Sequence, residues 1–232
     1  MNTTIQKEKE STNVVKNAPG IITVILGIAL AITGIHHGVF EILQGNTSTN
    51  GMLIESIGES QRMWLHGNDP AFTLIPNFLV TGIVTLLVGI LIIIWTVFYI
   101  NKNYGLKGFL ILFITLTLTG GGIGFIPFYI LTWVYSKRMN KELNWWKNIL
   151  SANIRKSISN TWLISAIASA GFLIIGLEIS VFGYIPGVTD PEKILTICWS
   201  FLFVSLLLIN YSFISGFAYI INDQILMNKD AL

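Results

Sequence analysis

The chain has 232 residues, of which 53% are hydrophobic and only 11% charged, with a net charge of +2. No polar stretch is long enough to fold alone (the longest are 1–18, 44–71 and 137–159), which excludes a soluble domain with a single anchor. So small a charge argues against a nucleic-acid partner, and the lone Cys198 excludes an internal disulfide and any multi-cysteine metal site.

Residues 1–18 mix Lys7, Glu8, Lys9, Glu10 and Lys16 and read as a polar cytoplasmic tail. The apolar run after them is longer than the core of a signal peptide and lacks a small-x-small cleavage site, so it reads as a retained first helix. Five apolar segments follow one another over approximately 19–43, 72–100, 106–136, 160–185 and 192–222. Each reaches the roughly 20 residues a helix needs to cross the hydrocarbon core. Asp69-Pro70 is expected to cap and start the second helix, Pro76 to bend it near its start, and Asp190-Pro191-Glu192 to start the fifth. The predicted fold is an all-α, polytopic helical bundle. It has one transmembrane domain over 19–222 and a short cytoplasmic C-terminal tail over 223–232.

Charge tests how the segments cross. If all five cross from an inside N-terminus, the basic loop 137–156 falls outside, against the positive-inside rule. If the third segment enters and leaves on one side, twelve Lys and Arg lie inside, and only Arg62 and Lys193 lie outside. Gly120-Gly121-Gly122-Ile123-Gly124 followed by Pro127 supplies the necessary break. Residues 106–136 are therefore expected to form a re-entrant hairpin or two short packed helices, and the alternative is one long kinked helix. Residues 141–158 carry Leu143, Trp146, Leu150, Ile154 and Ile158 at helical spacing beside Lys147 and Arg155. They predict an amphipathic interfacial helix, with the 137–156 segment drawn to anionic lipid.

All three histidines lie in or just after the first apolar segment. His37, Glu41 and Gln44 fall within roughly 60° of one another on a helix, with Thr33 in the same stripe and His36 rotated away by about 100°. Glu178 is the lone acid of the fourth segment; under the hairpin topology it lies at the same depth as His37, roughly 9 Å below the outer end. In the outer loop Glu55, Glu59, Arg62 and His66 recur at helical spacing beside Ile54, Ile57 and Trp64, predicting a surface helix over 52–66 that forms a lid.

Ionisable groups inside a membrane are costly and commonly mark a site. The candidate polar site is thus His37, Glu41, Gln44, Glu178, Glu59 and His66, opening to the outer face. Three readings follow. The first is binding or translocation of a small solute, ion or lipid. The second is a membrane-embedded hydrolase whose divalent metal, such as Zn, is held by His37, Glu41 and a loop ligand; His37-x-x-x-Glu41 lacks the second spaced pair of established zinc motifs. The third is a structural or interaction role in which His37 and Glu41 pair and pin the first helix. Elsewhere, Ser165-x-x-x-Ser169 and Ala166-x-x-x-Ala170 suit close helix packing, and Asn210 is expected to donate a hydrogen bond between helices.

At His37-Gly38, Glu41, Gln44-Gly45-Asn46-Thr47 and Gly120-Gly121-Gly122 the chain resembles a group of uncharacterised bacterial multi-pass membrane proteins, over roughly residues 30–130. The resemblance implies no activity, cofactor or substrate; the apolar segments themselves predict a multi-pass protein of the cell membrane.

Overall fold

A computed structural model gives the fold of residues 17–139 and 141–230. The polar tail expected over 1–18 lies, up to Lys16, outside the described residues. Among the described residues four helices are long and apolar enough to cross a membrane: α1 (Ala18–Leu43), α2 (Phe78–Tyr99), α7 (Trp162–Phe182) and α8 (Pro191–Asp230). Between them lie α3 (Gly105–Leu118), α4 (Ile126–Ser136), α5 (Asn144–Ile149) and α6 (Ala152–Ile158). The chain is thus predominantly helical, with three short strands: β1 (Leu53–Glu55), β2 (Pro70–Thr73) and β3 (Thr119–Gly122).

α1 is the central helix. In its most apolar window 67% of residues are buried, against 28% in α2 and 22% in α8. Ile22, Leu26, Leu30, Thr33, His37 and Glu41, three or four residues apart, are all at most 1% exposed. α2 packs closely along α1 because Gly38 and Gly82 let the two backbones meet. α7 and α8 form the second pair, joined by a reciprocal clasp in which Ser169 Oγ donates to Ser205 O at 2.9 Å and Ser205 Oγ to Ser169 O at 2.8 Å. Asp190 starts α8 by accepting from Glu192 N at 3.0 Å.

The third apolar segment is broken at its glycines. α3 and α4 run antiparallel: Trp133 Nε1, near the end of α4, donates to Leu106 O at the start of α3, and Phe113 stacks on Tyr129 midway. The non-helical backbone between them is satisfied by pairing as β3 with β2, while β2 pairs with β1, both antiparallel. This sheet of order β1-β2-β3 caps the C-terminal end of α1.

The bundle consequently has two unlike ends. The sheet end holds residues 41–77, the hairpin tip, the end of α7 (where Trp64 Nε1 donates to Ser180 O at 2.8 Å) and the start of α8 (where Glu192 meets His66). The opposite end gathers the start of α1, the feet of α3 and α4, and α5 and α6. There Thr23 and Ser136 hydroxyls meet at 2.5 Å, and Trp146 packs on Phe217. Among the described side chains Arg62 and Lys193 lie at the sheet end, and Lys102, Lys107, Lys137, Arg138, Lys141, Lys147, Arg155 and Lys156 at the other.

Several local expectations are corrected. Residues 52–66 form no helix: Leu53, Ile54, Glu55 and Ser56 alternate exposed and buried at the period of a strand, and Gly58 lies in the turn that follows. Glu55 and Arg62 nonetheless pair at 2.6 Å, across a turn instead of along a helix. Asp69-Pro70 opens β2, whereas α2 starts eight residues later, where Asn77 Oδ1 caps Val80 N at 3.1 Å; Pro76 lies before the helix and bends nothing. The predicted 141–158 helix is two, because Leu150 is extended, and Arg155 instead of Ile154 turns inward to donate to Lys147 O and Leu150 O. Asn210 accepts from Tyr135 Oη at 2.8 Å and spends its own donor on Leu206 O within α8. α8 also continues to Asp230, so residues 223–230 extend the helix where a tail was expected.

The α1–α2 contact makes a quantitative demand. A Cβ at Gly82 would stand 2.5 Å from Gly38 O and 2.6 Å from Ile42 N, both backbone atoms. Gly82→Ala should cost about 1–3 kcal/mol by overpacking. Thermal unfolding in detergent checks this against Gly171→Ala, where a Cβ meets nothing within 4 Å.

Candidate functional site

α1 carries His37 and Glu41 one turn apart on the face covered by the sheet, and both are fully enclosed, at 1% and 0% exposure. What meets them comes from the outer loop. Ser56, the first residue after β1, is also at 0% exposure, and its Oγ lies 2.7 Å from His37 Nδ1 and 3.1 Å from Glu41 Oε1. Asp69, immediately before β2, places Oδ2 3.2 Å from His37 Nε2, an ion-pair distance without the alignment of a good hydrogen bond. The four side chains form a continuous row: Glu41, Ser56, His37, Asp69.

β-pairing holds the row together. Ser56 N donates to Asp69 O at 3.1 Å, so the two loop residues adjoin through their own backbone. Gln44 donates from Nε2 to Glu55 O at 3.0 Å and Ser56 O at 2.7 Å, tying the end of β1 to the end of α1. Asp69 has a left-handed φ of 43°, which aspartate tolerates better than most residues and which turns its side chain back toward α1.

The hairpin seals the other side. Gly120 passes over Glu41 so closely that a Cβ there would stand 2.5 Å from both carboxylate oxygens and 2.6 Å from Thr85 Oγ1; its φ of 127° is also one that side chains rarely adopt. Gly122 lies equally close to the His37 ring, and Phe125 meets that ring edge-on at 6.0 Å. Thr85 fixes the glycine strand by donating to Thr119 O. One carboxylate oxygen, Glu41 Oε2, has no hydrogen-bond partner among the described residues.

Other expected members lie elsewhere. Glu59 is exposed at the rim of a shallow outer depression beside Leu43 and Gln44. His66 pairs with Glu192 at 3.0 Å and sits edge-on to Trp64. Glu178 is exposed on α7, and its charge bears on His36, which faces Phe40 and Phe182; it does not meet the His37 row. Ser56 and Asp69 were missed. The sequence signal for Ser56 is its period-two spacing from Ile54; Asp69-Pro70 reads equally well as a helix start.

Both His37 nitrogens face protein partners, Glu59 and His66 are turned away, and among the described residues no three His, Cys, Asp or Glu side chains converge. Ser56, His37 and Asp69 have the residue types of a nucleophile, base and orienter, but Ser56 Oγ is enclosed and already serves Glu41. The row reaches open space at Asp69, which is 18% exposed and lines a cavity of about 320 Å³ beneath Trp64 and His66, bounded by Phe125, Ser180 and Leu202.

The chain matches no known protein family, no curated protein and no solved structure.

The glycine seal can be tested directly. Gly120→Ala forces both a disfavoured φ and contact with Glu41, and should lower stability by about 2–4 kcal/mol. Gly124→Ala, where a Cβ meets nothing within 4 Å, should melt like the wild type.

Proposed function

We propose that this is a multi-pass protein of the cell membrane whose outer site takes up and releases a proton through Glu41, Ser56, His37 and Asp69. Proton exchange would be coupled to binding or translocating a small solute, ion or lipid at the cavity beside Asp69. The observation that carries the reading is the unbroken contact from enclosed Glu41 to cavity-lining Asp69. Such a row has two proton arrangements. In one, His37 Nδ1–H donates to Ser56 Oγ and the Ser56 hydroxyl donates to the Glu41 carboxylate. In the other, the Glu41 carboxyl donates to Ser56 and the Ser56 hydroxyl donates to Nδ1. Two concerted hops, Nδ1 to Ser56 Oγ and Ser56 Oγ to Glu41, carry one net proton along the row and interconvert them, and Asp69 is placed to stabilise the imidazolium of the first.

The second reading, a non-catalytic interaction protein in which the row is a structural lock, is favoured by one observation: His37 is enclosed between Ser56 and Asp69 and the glycine strand closes over the site. Glu41→Gln separates the two, because the amide keeps the shape and the hydrogen bonding but cannot exchange a proton. Infrared difference spectra of the protein in nanodiscs, recorded across the neutral pH range, should show a carboxyl band that titrates and is absent from Glu41→Gln. A spectrum identical in wild type and variant, with unchanged melting, would leave the lock as the better account.

The reading includes a sidedness: termini in the cytoplasm, sheet end outside, and α3–α4 re-entering from the inner face. Its support is the segregation of the basic residues to the end opposite the sheet. A place among bacterial membrane proteins, as the glycine and His37–Glu41 resemblance implies, belongs to the same proposal. Cysteines replacing Lys141 and Lys147 should resist an impermeant thiol reagent added to intact cells, whereas one replacing the exposed Glu59 should react. Efficient labelling at the first two would reverse the orientation.

A further inference from the structure

At the end opposite the sheet, a groove of about 640 Å³ opens between the end of α2 and the feet of α3 and α4. Its rim carries Lys102, Lys107, Lys137 and Lys141, all exposed, and among the described residues no carboxylate lines it. Its wall is apolar: Leu106, Leu110 and Ile111 follow one another along α3, with Ile111 62% exposed toward the bilayer side. Trp133 closes the floor, its indole fixed to Leu106 O at 3.2 Å and its ring face 3.9 Å from Lys137 Nζ. The four lysines come from two separate segments, the α2–α3 loop with the start of α3, and the chain after α4. The hairpin brings them together, so the sequence pattern of the 137–156 segment shows only half of the cluster.

We infer that this groove holds one anionic phospholipid, with its phosphate among the four lysines and an acyl chain along Leu106, Leu110 and Ile111. The argument is charge complementarity joined to amphiphile geometry. Four ammonium groups without a neutralising acid repel one another and are relieved by a phosphate, and a wall that leads from that rim into the apolar belt suits a chain attached to it. Trp133 at the junction is the residue type that settles where headgroup and hydrocarbon meet. The lipid would also bridge the two feet of the hairpin, which otherwise touch through the Trp133–Leu106 contact and ring packing. The inference does not depend on the proton row at the other end of the bundle.

Native mass spectrometry of the detergent-purified full chain provides the test, with dioleoyl phosphatidylglycerol and dioleoyl phosphatidylcholine supplied at equal concentration. The wild type should retain one phosphatidylglycerol in clear preference to phosphatidylcholine. Each lysine changed to glutamine should weaken that retention roughly five-fold, and K102Q/K107Q/K137Q/K141Q should abolish the preference. K147Q/K156Q, which removes two exposed charges outside the groove, should keep it. All the substituted positions are exposed, so melting temperatures should match the wild type. Equal retention of both lipids by the wild type, or loss of preference in K147Q/K156Q with the groove variant unaffected, would overturn the inference. Displacement of the lipid by excess glycerol 3-phosphate would do so too, because it would show a site for the phosphate alone.

Discussion

The need to enclose a carboxylate and an imidazole on one face of the central helix governs the sheet end of this protein. Glu41 and His37 stand on α1 within a span that is otherwise almost wholly apolar, and neither can face hydrocarbon without a large cost. Every neighbouring feature answers that cost. Ser56 contacts His37 Nδ1 and Glu41 Oε1 through one hydroxyl, Asp69 supplies a countercharge, and Gln44 clamps the strand that brings Ser56. The pairing of β1 with β2 sets Ser56 and Asp69 side by side against α1.

The broken hairpin belongs to the same solution. A continuous third helix would bury its own hydrogen bonds but would present side chains to Glu41, and no side chain fits where Gly120 passes. An extended glycine strand fits, yet its buried peptide groups then need partners. β2 provides them, so a loop that caps the site also satisfies the segment that seals it. Each of the two elements thus supplies backbone partners to the other beside α1.

The opposite end is built on different physics. No buried ionisable row organises it; instead, indole and hydroxyl contacts fix the helix feet, and charge accumulates at the surface. Arg155 illustrates the contrast. It turns inward to bind the carbonyls left free where α5 ends, serving as a cap for a short helix instead of as part of a site. The asymmetry of charge between the ends is what a membrane reads as orientation.

The sequence by itself determined the solvent this chain requires, the long apolar helices, the break at Gly120–Gly124 and the shared face of His37 and Glu41. Each of these is a local property: hydrophobic length, glycine content, and angular spacing on a single helix. It could not determine partners. Ser56 and Asp69 are ordinary loop residues until β1 and β2 pair, and Glu59, His66 and Glu178 look equally suitable until the fold turns them outward or toward other groups. The loop helix over 52–66 failed for the same reason: its charge spacing fits a helix, but the pairing that decides its backbone comes from β2, fifteen to nineteen residues away. Tertiary structure alone decided which polar groups meet, because a contact between separate segments leaves no periodic trace in either one.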